Sequence, residues 1–222
     1  MMEGQKRNSF LMQHSSSEWK EIVALKQSII PFKKGSNIFS KGEKVKGIFF
    51  IHTGAVKVHK QWNEEKELIV RFAKGGEVLG HRGFGKEDIY PVTATALEDG
   101  EAGFITTDFL NATIKYNPEF TYRLIRFYTD ELHFAENRMY DLTHKDVNTR
   151  IAESLLYMQD FFGKGKDGFI ALTLTRQDIA AFAGTRYETV FKFFTQLTDQ
   201  KIILTEGKRI NIIDEKRLRE MI

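Results

Sequence analysis

The stretch Leu174-Thr175-Arg176-Gln177-Asp178-Ile179-Ala180-Ala181-Phe182-Ala183-Gly184-Thr185-Arg186-Tyr187-Glu188-Thr189-Val190-Phe191-Lys192-Phe193-Phe194 decides the fold. Thr175 followed three residues later by Asp178 resembles a capping box, with Asp where Glu or Gln is usual, and starts a short helix through Ile179 and Phe182. Gly184 permits a tight turn. A second helix is predicted from about Arg186 to Leu197, with Val190, Phe194 and Leu197 on its buried face. Two helices of this length joined by a glycine-containing turn form a helix-turn-helix. Beyond them, Lys201-Ile202-Ile203-Leu204, the polar turn Thr205-Glu206-Gly207-Lys208-Arg209 and Ile210-Asn211-Ile212-Ile213 read as a β-hairpin, the wing of a winged helix.

The side chains expected at the exposed N-terminal end of the second helix are Arg186, Tyr187, Glu188, Thr189 and Lys192. That end contacts base edges when such a helix enters a major groove. Glu188 can accept a hydrogen bond from cytosine N4, and Lys192 and Arg186 can reach guanine acceptors or phosphates. Thr175 and Arg176, at the start of the first helix, complete the expected DNA-contacting set, with Arg176 placed for a phosphate. A plain helical hairpin with a solvated polar face has the same two-helix pattern; the wing and the preceding helix argue against that reading.

Upstream, the apolar helix Ile151-Ala152-Glu153-Ser154-Leu155-Leu156-Tyr157-Met158 is ended by the loop Gly163-Lys164-Gly165-Lys166-Asp167-Gly168. A composition shift at His144-Lys145-Asp146-Val147-Asn148 places a domain boundary near Asp146. Before it, about 27 residues after Asn117-Pro118 contain no glycine or proline, and the proline suits a helix start. Ile125, Tyr128, Leu132, Ala135, Met139 and Leu142 alternate in steps of three and four, a heptad seam suited to pairing with a second copy of the helix. Phe120, Leu124, Phe127 and Phe134 form a second stripe suited to the chain's own β domain. From about residue 30 to 110, Ile48-Phe49-Phe50-Ile51-His52, Val56-Lys57-Val58, Leu68-Ile69-Val70-Arg71-Phe72, Val92-Thr93-Ala94-Thr95-Ala96 and Ala102-Gly103-Phe104-Ile105 are short β-rich runs, the pattern of a sandwich or roll. Gly35, Gly42, Gly47, Gly54, Gly75, Gly76, Gly80, Gly83 and Gly85 fall between or at the ends of these runs, where positive-φ turns are expected.

The 222 residues hold 33 Lys plus Arg against 30 Asp plus Glu, a net charge of +3, so DNA binding has to come from a local patch rather than a basic tail. With no Cys, a disulfide scaffold, a cysteine-ligated iron–sulfur cluster, thiol redox sensing and a Cys-based zinc site are excluded. The opening Met1-Met2-Glu3-Gly4-Gln5-Lys6-Arg7 leads into no apolar run, and no stretch approaches the roughly 20 apolar residues of a membrane span. A cytoplasmic protein is expected.

The strings Asp146-Val147-Asn148-Thr149-Arg150-Ile151-Ala152, Leu174-Thr175-Arg176-Gln177-Asp178-Ile179-Ala180 and Gly184-Thr185-Arg186-Tyr187-Glu188-Thr189-Val190 with Lys192 resemble the signature of the cyclic-AMP receptor protein and fumarate-nitrate regulator superfamily. Upstream, Gly35, Lys41-Gly42-Glu43, Phe49-Phe50-Ile51, Gly54-Ala55-Val56-Lys57-Val58 and Gly75-Gly76-Glu77-Val78-Leu79-Gly80 resemble its cyclic-nucleotide-binding-like β-roll. The similarity covers about residues 30 to 215. It implies an α+β fold: an N-terminal cyclic-nucleotide-binding-like β-roll, a long dimerisation helix and a C-terminal winged helix-turn-helix. The expected divisions are 1–116 for the sensor domain with an N-terminal helical segment, 117–145 for the dimerisation helix and 146–222 for the DNA-binding domain. In the family the position of Tyr187 is often Arg, so a base-reading cation is replaced here.

Members of the superfamily that bind cyclic AMP hold the ribose with a Glu and the phosphate with an Arg-Ser pair. The matching positions here are Gly80-His81-Arg82 and about Tyr90-Pro91, and both key side chains are missing. A bound phosphate without a cation loses several kcal/mol of charge-assisted bonding, so cyclic AMP is not expected unless Arg82 turns inward. Gly80, His81, Arg82, Tyr90 and Pro91 therefore outline an effector pocket of unknown ligand, with a purely structural roll as the alternative. The spacing from Gly80 to Gly85-Lys86 imitates a phosphate-binding loop, but Glu87 stands where Ser or Thr should be and no helix pattern follows. His52, His59, His81, His133 and His144 lack close ligand spacing, so neither metal nor haem is expected. No Gly-x-Ser-x-Gly elbow is present, and a cupin-like enzyme would need a His/Glu cluster that is lacking. The expectation is a non-enzymatic regulator of transcription, a homodimer on an inverted-repeat operator. Its partners are double-stranded DNA and RNA polymerase, the latter through Lys164 and Lys166 by family analogy. The competing class is a ligand-binding signalling module whose helix-turn-helix makes protein contacts.

Overall fold

The computed structural model describes residues 10–62 and 66–222, so the opening residues 1–7 discussed above lie outside the described residues. The chain divides into two compact units: Gln61–Ile69 and Ala135–Ile222 make one, and the remaining residues make the other.

The first unit opens with helices α1 (Phe10–His14) and α2 (Ser17–Lys26), then eight strands: β1 (Ser28–Phe32), β2 (Asn37–Phe39), β3 (Gly47–Thr53), β4 (Ala55–Gln61), β5 (Glu67–Lys74), β6 (Val78–Leu79), β7 (Thr93–Ala96) and β8 (Gly100–Thr106). They form two four-stranded sheets, ordered β1-β8-β3-β6 and β2-β7-β4-β5. Each of the five β-rich runs read from the sequence contributes a strand. Pro31 is tolerated in β1 because that strand is a sheet edge, pairing with β8 alone. The central strand β3 shows how the layers are built. Successive side chains point to opposite faces, so Phe49 and Ile51 join Phe39, Val58 and Val92 between the sheets, while Ile48 and Phe50 join Leu11, Val23, Leu110 and Phe120 beneath the helices.

Two further helices follow, α3 (Thr107–Tyr116) and the 27-residue α4 (Pro118–His144). Asn117 accepts from the Phe120 amide at 3.2 Å, which satisfies a first-turn donor of α4. The second apolar stripe is anchored in the unit's core, with Phe120 and Leu124 buried and Phe127 packed against the same cluster.

The second unit contains α5 (Val147–Phe162), α6 (Arg176–Ala183), α7 (Tyr187–Asp199), the hairpin β9 (Ile203–Glu206) and β10 (Arg209–Ile212), and α8 (Glu215–Arg219). Asp146 caps α5, accepting from the Asn148 and Thr149 amides at 2.9 and 3.1 Å. Ile151, Leu155, Ile179, Phe182, Val190, Leu197 and Ile203 supply the buried core. The wing turn is tighter than the five polar residues expected from the sequence. Glu206 pairs with Arg209 across the hairpin, leaving Gly207 and Lys208 as the turn, with Gly207 at φ 59°.

The glycine expectation is corrected in part. Gly35, Gly42, Gly54, Gly76 and Gly80 have positive φ, but Gly47, Gly75, Gly83 and Gly85 do not. Gly47 is required for a different reason: a Cβ there would collide with the Ile105 carbonyl oxygen of the paired strand.

Candidate nucleic-acid interface and sensor core

Both arms of the capping box form at the start of α6. The Asp178 amide donates to Thr175 Oγ1 at 3.0 Å, and the Thr175 amide donates to Asp178 Oδ2 at 3.1 Å. Thr175 Oγ1 also donates to that carboxylate at 2.5 Å. The Thr175 hydroxyl is thus engaged in starting the helix. Gly184 ends α6 in the left-handed region at φ 64°, ψ 44°. A Cβ at Gly184 would run into Leu142 of α4. The last carbonyls of α6 are gathered by two arginines. Arg138 of α4 donates to the Phe182 carbonyl and lies 4.3 Å over the Phe182 ring, and Arg150 of α5 donates to the Ala183 carbonyl at 3.0 Å. Cations at the C-terminal end of a helix complement its dipole. These contacts fix the angle at which the chain enters α7.

On α7, Arg186, Tyr187, Glu188 and Lys192 are exposed and Thr189 is half-buried, while Val190, Phe193, Phe194 and Leu197 are buried. Arg186 is the N-cap with extended backbone and makes no side-chain cap hydrogen bond. The first amides of α7 therefore lack a side-chain acceptor from their own cap, an arrangement suited to a phosphate oxygen. Arg176, expected at a phosphate, also has partners within its own unit. Its guanidinium lies 4.3 Å over the Phe194 ring and faces the carbonyls of Gly207 and Lys208 at 3.4 Å, and burial lowers its pKa. Arg176 joins α6, α7 and the wing turn. Sequence reasoning also passed over Phe191, which is 58% exposed and stacked on Tyr187 with ring centroids 6.3 Å apart. Its signal was present in the pattern, an aromatic placed beside rather than on the Val190-Phe194-Leu197 stripe.

In the first unit, Gly80, His81, Arg82, Tyr90 and Pro91 line one cavity, as the sequence grouped them, but its volume is only about 10 Å³. That is room for about one water. Tyr90 fills the space by stacking on Phe39 at 4.1 Å and donating to the Gly47 carbonyl at 2.8 Å; burial pushes its phenol above the usual pKa. The polar side chains beside the cavity converge on a residue that the sequence did not single out. Glu131 of α4 accepts from Arg71 at 2.5 Å, from Arg82 at 2.9 Å and from His81 Nε2 at 3.2 Å. Arg71 also pairs with Glu77 at 2.5 Å, and Tyr128 donates to the His81 carbonyl at 2.7 Å. Burial alone would raise the Glu131 pKa, but the His81 hydrogen bond and the charges of Arg71 and His81, with the Arg82 bond, bring it down to about 2. Burial pushes His81 below its ordinary value, against the pull of Glu131. Arg71 was legible in principle. It sits between Ile69 and Ala73 on the buried face of β5, where a lone cation demands a partner. The imitation phosphate-binding loop contains a three-residue 3₁₀ turn, His81–Gly83, and no α-helix follows it before β7. Among the described residues no group of three or more His, Asp or Glu is arranged to hold a metal ion.

Of the expected dimer seam, Ile125, Leu132, Ala135 and Met139 are exposed, and Tyr128 is 38% exposed. Leu142 is half-buried and lies against Gly184.

An eight-stranded roll with helices on one face and a winged helix-turn-helix together define a DNA-binding transcription regulator. Residues 149–221 match the Crp-like helix-turn-helix domain, and residues 29–117 match the cyclic nucleotide-binding domain. The chain is 30% identical over 192 residues to the transcriptional activator protein anr of Pseudomonas aeruginosa, covering 85% of this chain and 78% of that protein. It is 28% identical over 201 residues to a CRP-like cAMP-activated global transcriptional regulator of Mycobacterium tuberculosis, covering 89% and 90% of the two chains. Its fold is shared with FixK2 from Bradyrhizobium japonicum, at a TM-score of 0.76 and 24% identity over 87% of this chain and 96% of that one. The chain belongs to the CRP/FNR family of transcription regulators.

Proposed function

We propose that the protein regulates transcription as a cytoplasmic homodimer that reads an inverted-repeat operator with Arg186, Tyr187, Glu188, Thr189 and Lys192 of α7. The observation that carries this reading is the open N-terminal end of α7, where Arg186, Tyr187, Glu188 and Lys192 face solvent beside the half-buried Thr189, on a helix whose opposite face is buried. Glu188 is repelled by every phosphate, so its place on such a surface is explained by a specific donor such as cytosine N4. Ile125, Leu132 and Met139 support the dimer, since exposed apolar side chains at heptad spacing on one long helix suit a copy of the same helix.

The sensor reading is that cyclic AMP is not the effector. Arg82, the cation available to replace the missing phosphate ligand, is paired with Glu131, and the cavity beside it has a volume of about 10 Å³. Lys164 and Lys166, both exposed on the loop after α5, are the proposed polymerase-contacting residues by family analogy. No described helix is long and apolar enough to cross a membrane.

In vitro selection from random duplex DNA tests the reading. Two twofold-related α7 helices fit successive major grooves about 34 Å apart, so the selected sites should be inverted repeats with half-sites about one helical turn apart. Leu132→Glu should convert the dimer to a monomer in analytical ultracentrifugation and abolish selection of the repeat. A single asymmetric site, or a Leu132→Glu protein that remains dimeric, would overturn the dimer; absence of any selected sequence would overturn DNA reading and favour a protein-contact role.

A further inference from the structure

We infer that Tyr187 and Phe191 form an apolar ledge that reads the 5-methyl group of a thymine in each half-site. The inference rests on the DNA-binding reading and adds a base identity to it. At 100° per residue, Phe191 lies about 60° to one side of Glu188 on the α7 surface and Lys192 lies about 40° to the other. The three side chains therefore share the outward face, opposite the buried Val190, Phe193, Phe194 and Leu197. Phe191 is 58% exposed, Tyr187 is 43% exposed, and the rings stack with centroids 6.3 Å apart and planes 24° apart. Each ring restrains the other, which presents a preformed apolar surface.

The surroundings identify the occupant. Arg186 and Lys192 are exposed on the same end of the helix, with Glu188 as the acid between them. An apolar ledge flanked by two cations suits a polyanion with an apolar feature. In a DNA major groove the 5-methyl of thymine is the apolar group on a base edge, and it distinguishes T·A from the other base pairs. The ledge, Glu188 and Lys192 then address neighbouring base pairs: a thymine methyl, a cytosine amine and a guanine or phosphate.

The test replaces each thymine of the selected operator, one symmetric pair at a time, by deoxyuridine, which lacks the methyl and keeps the hydrogen-bonding edge. Covering one methyl corresponds to about a fourfold change per half-site. One symmetric pair should show this loss with the native protein, and Phe191→Ala should bind the thymine and deoxyuridine operators alike. Phe191→Leu, which keeps an apolar side chain on the same helix, should retain a measurable part of the discrimination and controls for loss of folding. Deoxyuridine that is neutral at every position, on an operator still bound selectively, would overturn the ledge and leave the DNA-binding reading standing. Failure to select any operator would overturn both. Conversion of the dimer to a monomer by Phe191→Ala would assign the face to a second copy of the chain and also overturn the proposal.

Discussion

In the β-roll, Arg71, His81 and Arg82 all turn towards one carboxylate, that of Glu131, and the adjoining cavity has a volume of about 10 Å³. In the first half of α7 and at its N-cap, Arg186, Glu188 and Lys192 stand in solvent, within seven residues of chain. The roll neutralises its own charges, whereas these charges of the helix-turn-helix stay in solvent. Burial explains why each arrangement is stable. A buried ion costs several kcal/mol unless paired and hydrogen-bonded, so the cations beside Glu131 hold α4 to the roll within the first unit. Solvated charges on α7 cost little to leave open, and in the proposed reading they are the ones that meet DNA. The difference would then separate a joint from an interface within one chain.

The comparison breaks most severely at Glu131. Glu131→Ala leaves Arg82 and His81 without their carboxylate and Arg71 with Glu77 alone, a loss on the order of 3 kcal/mol or more. Chemical denaturation should show it in the first unit; a variant as stable as the native protein would show that the cluster does not hold α4.

Acid is the next largest perturbation. Glu131 has a folded pKa of about 2 against an ordinary 4.5, so its contribution is fully present above pH 4.5 and is lost as pH falls towards 2. His81 acts in the same direction from a higher pH. Its folded pKa lies below the ordinary 6.5, so the unfolded chain takes up a proton first and stability falls as pH drops below 6.5. Burial raises the Glu77 pKa, which has the opposite sign and offsets part of the loss. In the second unit, the lowered carboxylates of Asp146, Asp167 and Glu215 lie at the surface, where solvent screens their pairs. Hydrogen exchange at decreasing pH should therefore open the α4 turn at Glu131 before α5 or α7. Simultaneous opening of all three would contradict this difference.

A smaller effect is expected at Arg176, where stacking on Phe194 and two long carbonyl contacts support the wing turn. Arg176→Ala should cost about 1 kcal/mol of stability and weaken DNA binding without changing the salt slope. A slope reduced by about one would restore it as a direct phosphate ligand.

What the sequence disclosed and what it concealed divides along the same line. The helix-turn-helix was legible because its signals are local: Thr175 and Asp178 three residues apart, Gly184 at a left-handed turn, and an apolar period on α7. The joint at Glu131 depends on Arg71 and His81, 60 and 50 residues away in the chain. Periodicity along α4 has no term for such a partner, so nothing in the sequence singled out Glu131 beside Leu132. The heptad position of Leu142 is local, but the Gly184 turn that it packs against is not. Arg176 is alike: its position at a helix start was legible, but the wing turn whose carbonyls face its guanidinium comes from more than 30 residues downstream.

The measurement that tests base reading by α7 most directly is titration of native and Glu188→Ala proteins against every single substitution of the selected operator, at fixed salt. The expected result is a loss of about 1–3 kcal/mol of discrimination at one symmetric pair of positions, with non-specific affinity equal or higher because a negative charge has been removed. An i,i+4 pair of Glu188 with Lys192 on a solvated face would contribute only about 0.3–0.5 kcal/mol of stability and no base preference. A Glu188→Ala protein with the native preference at every operator position would contradict the account.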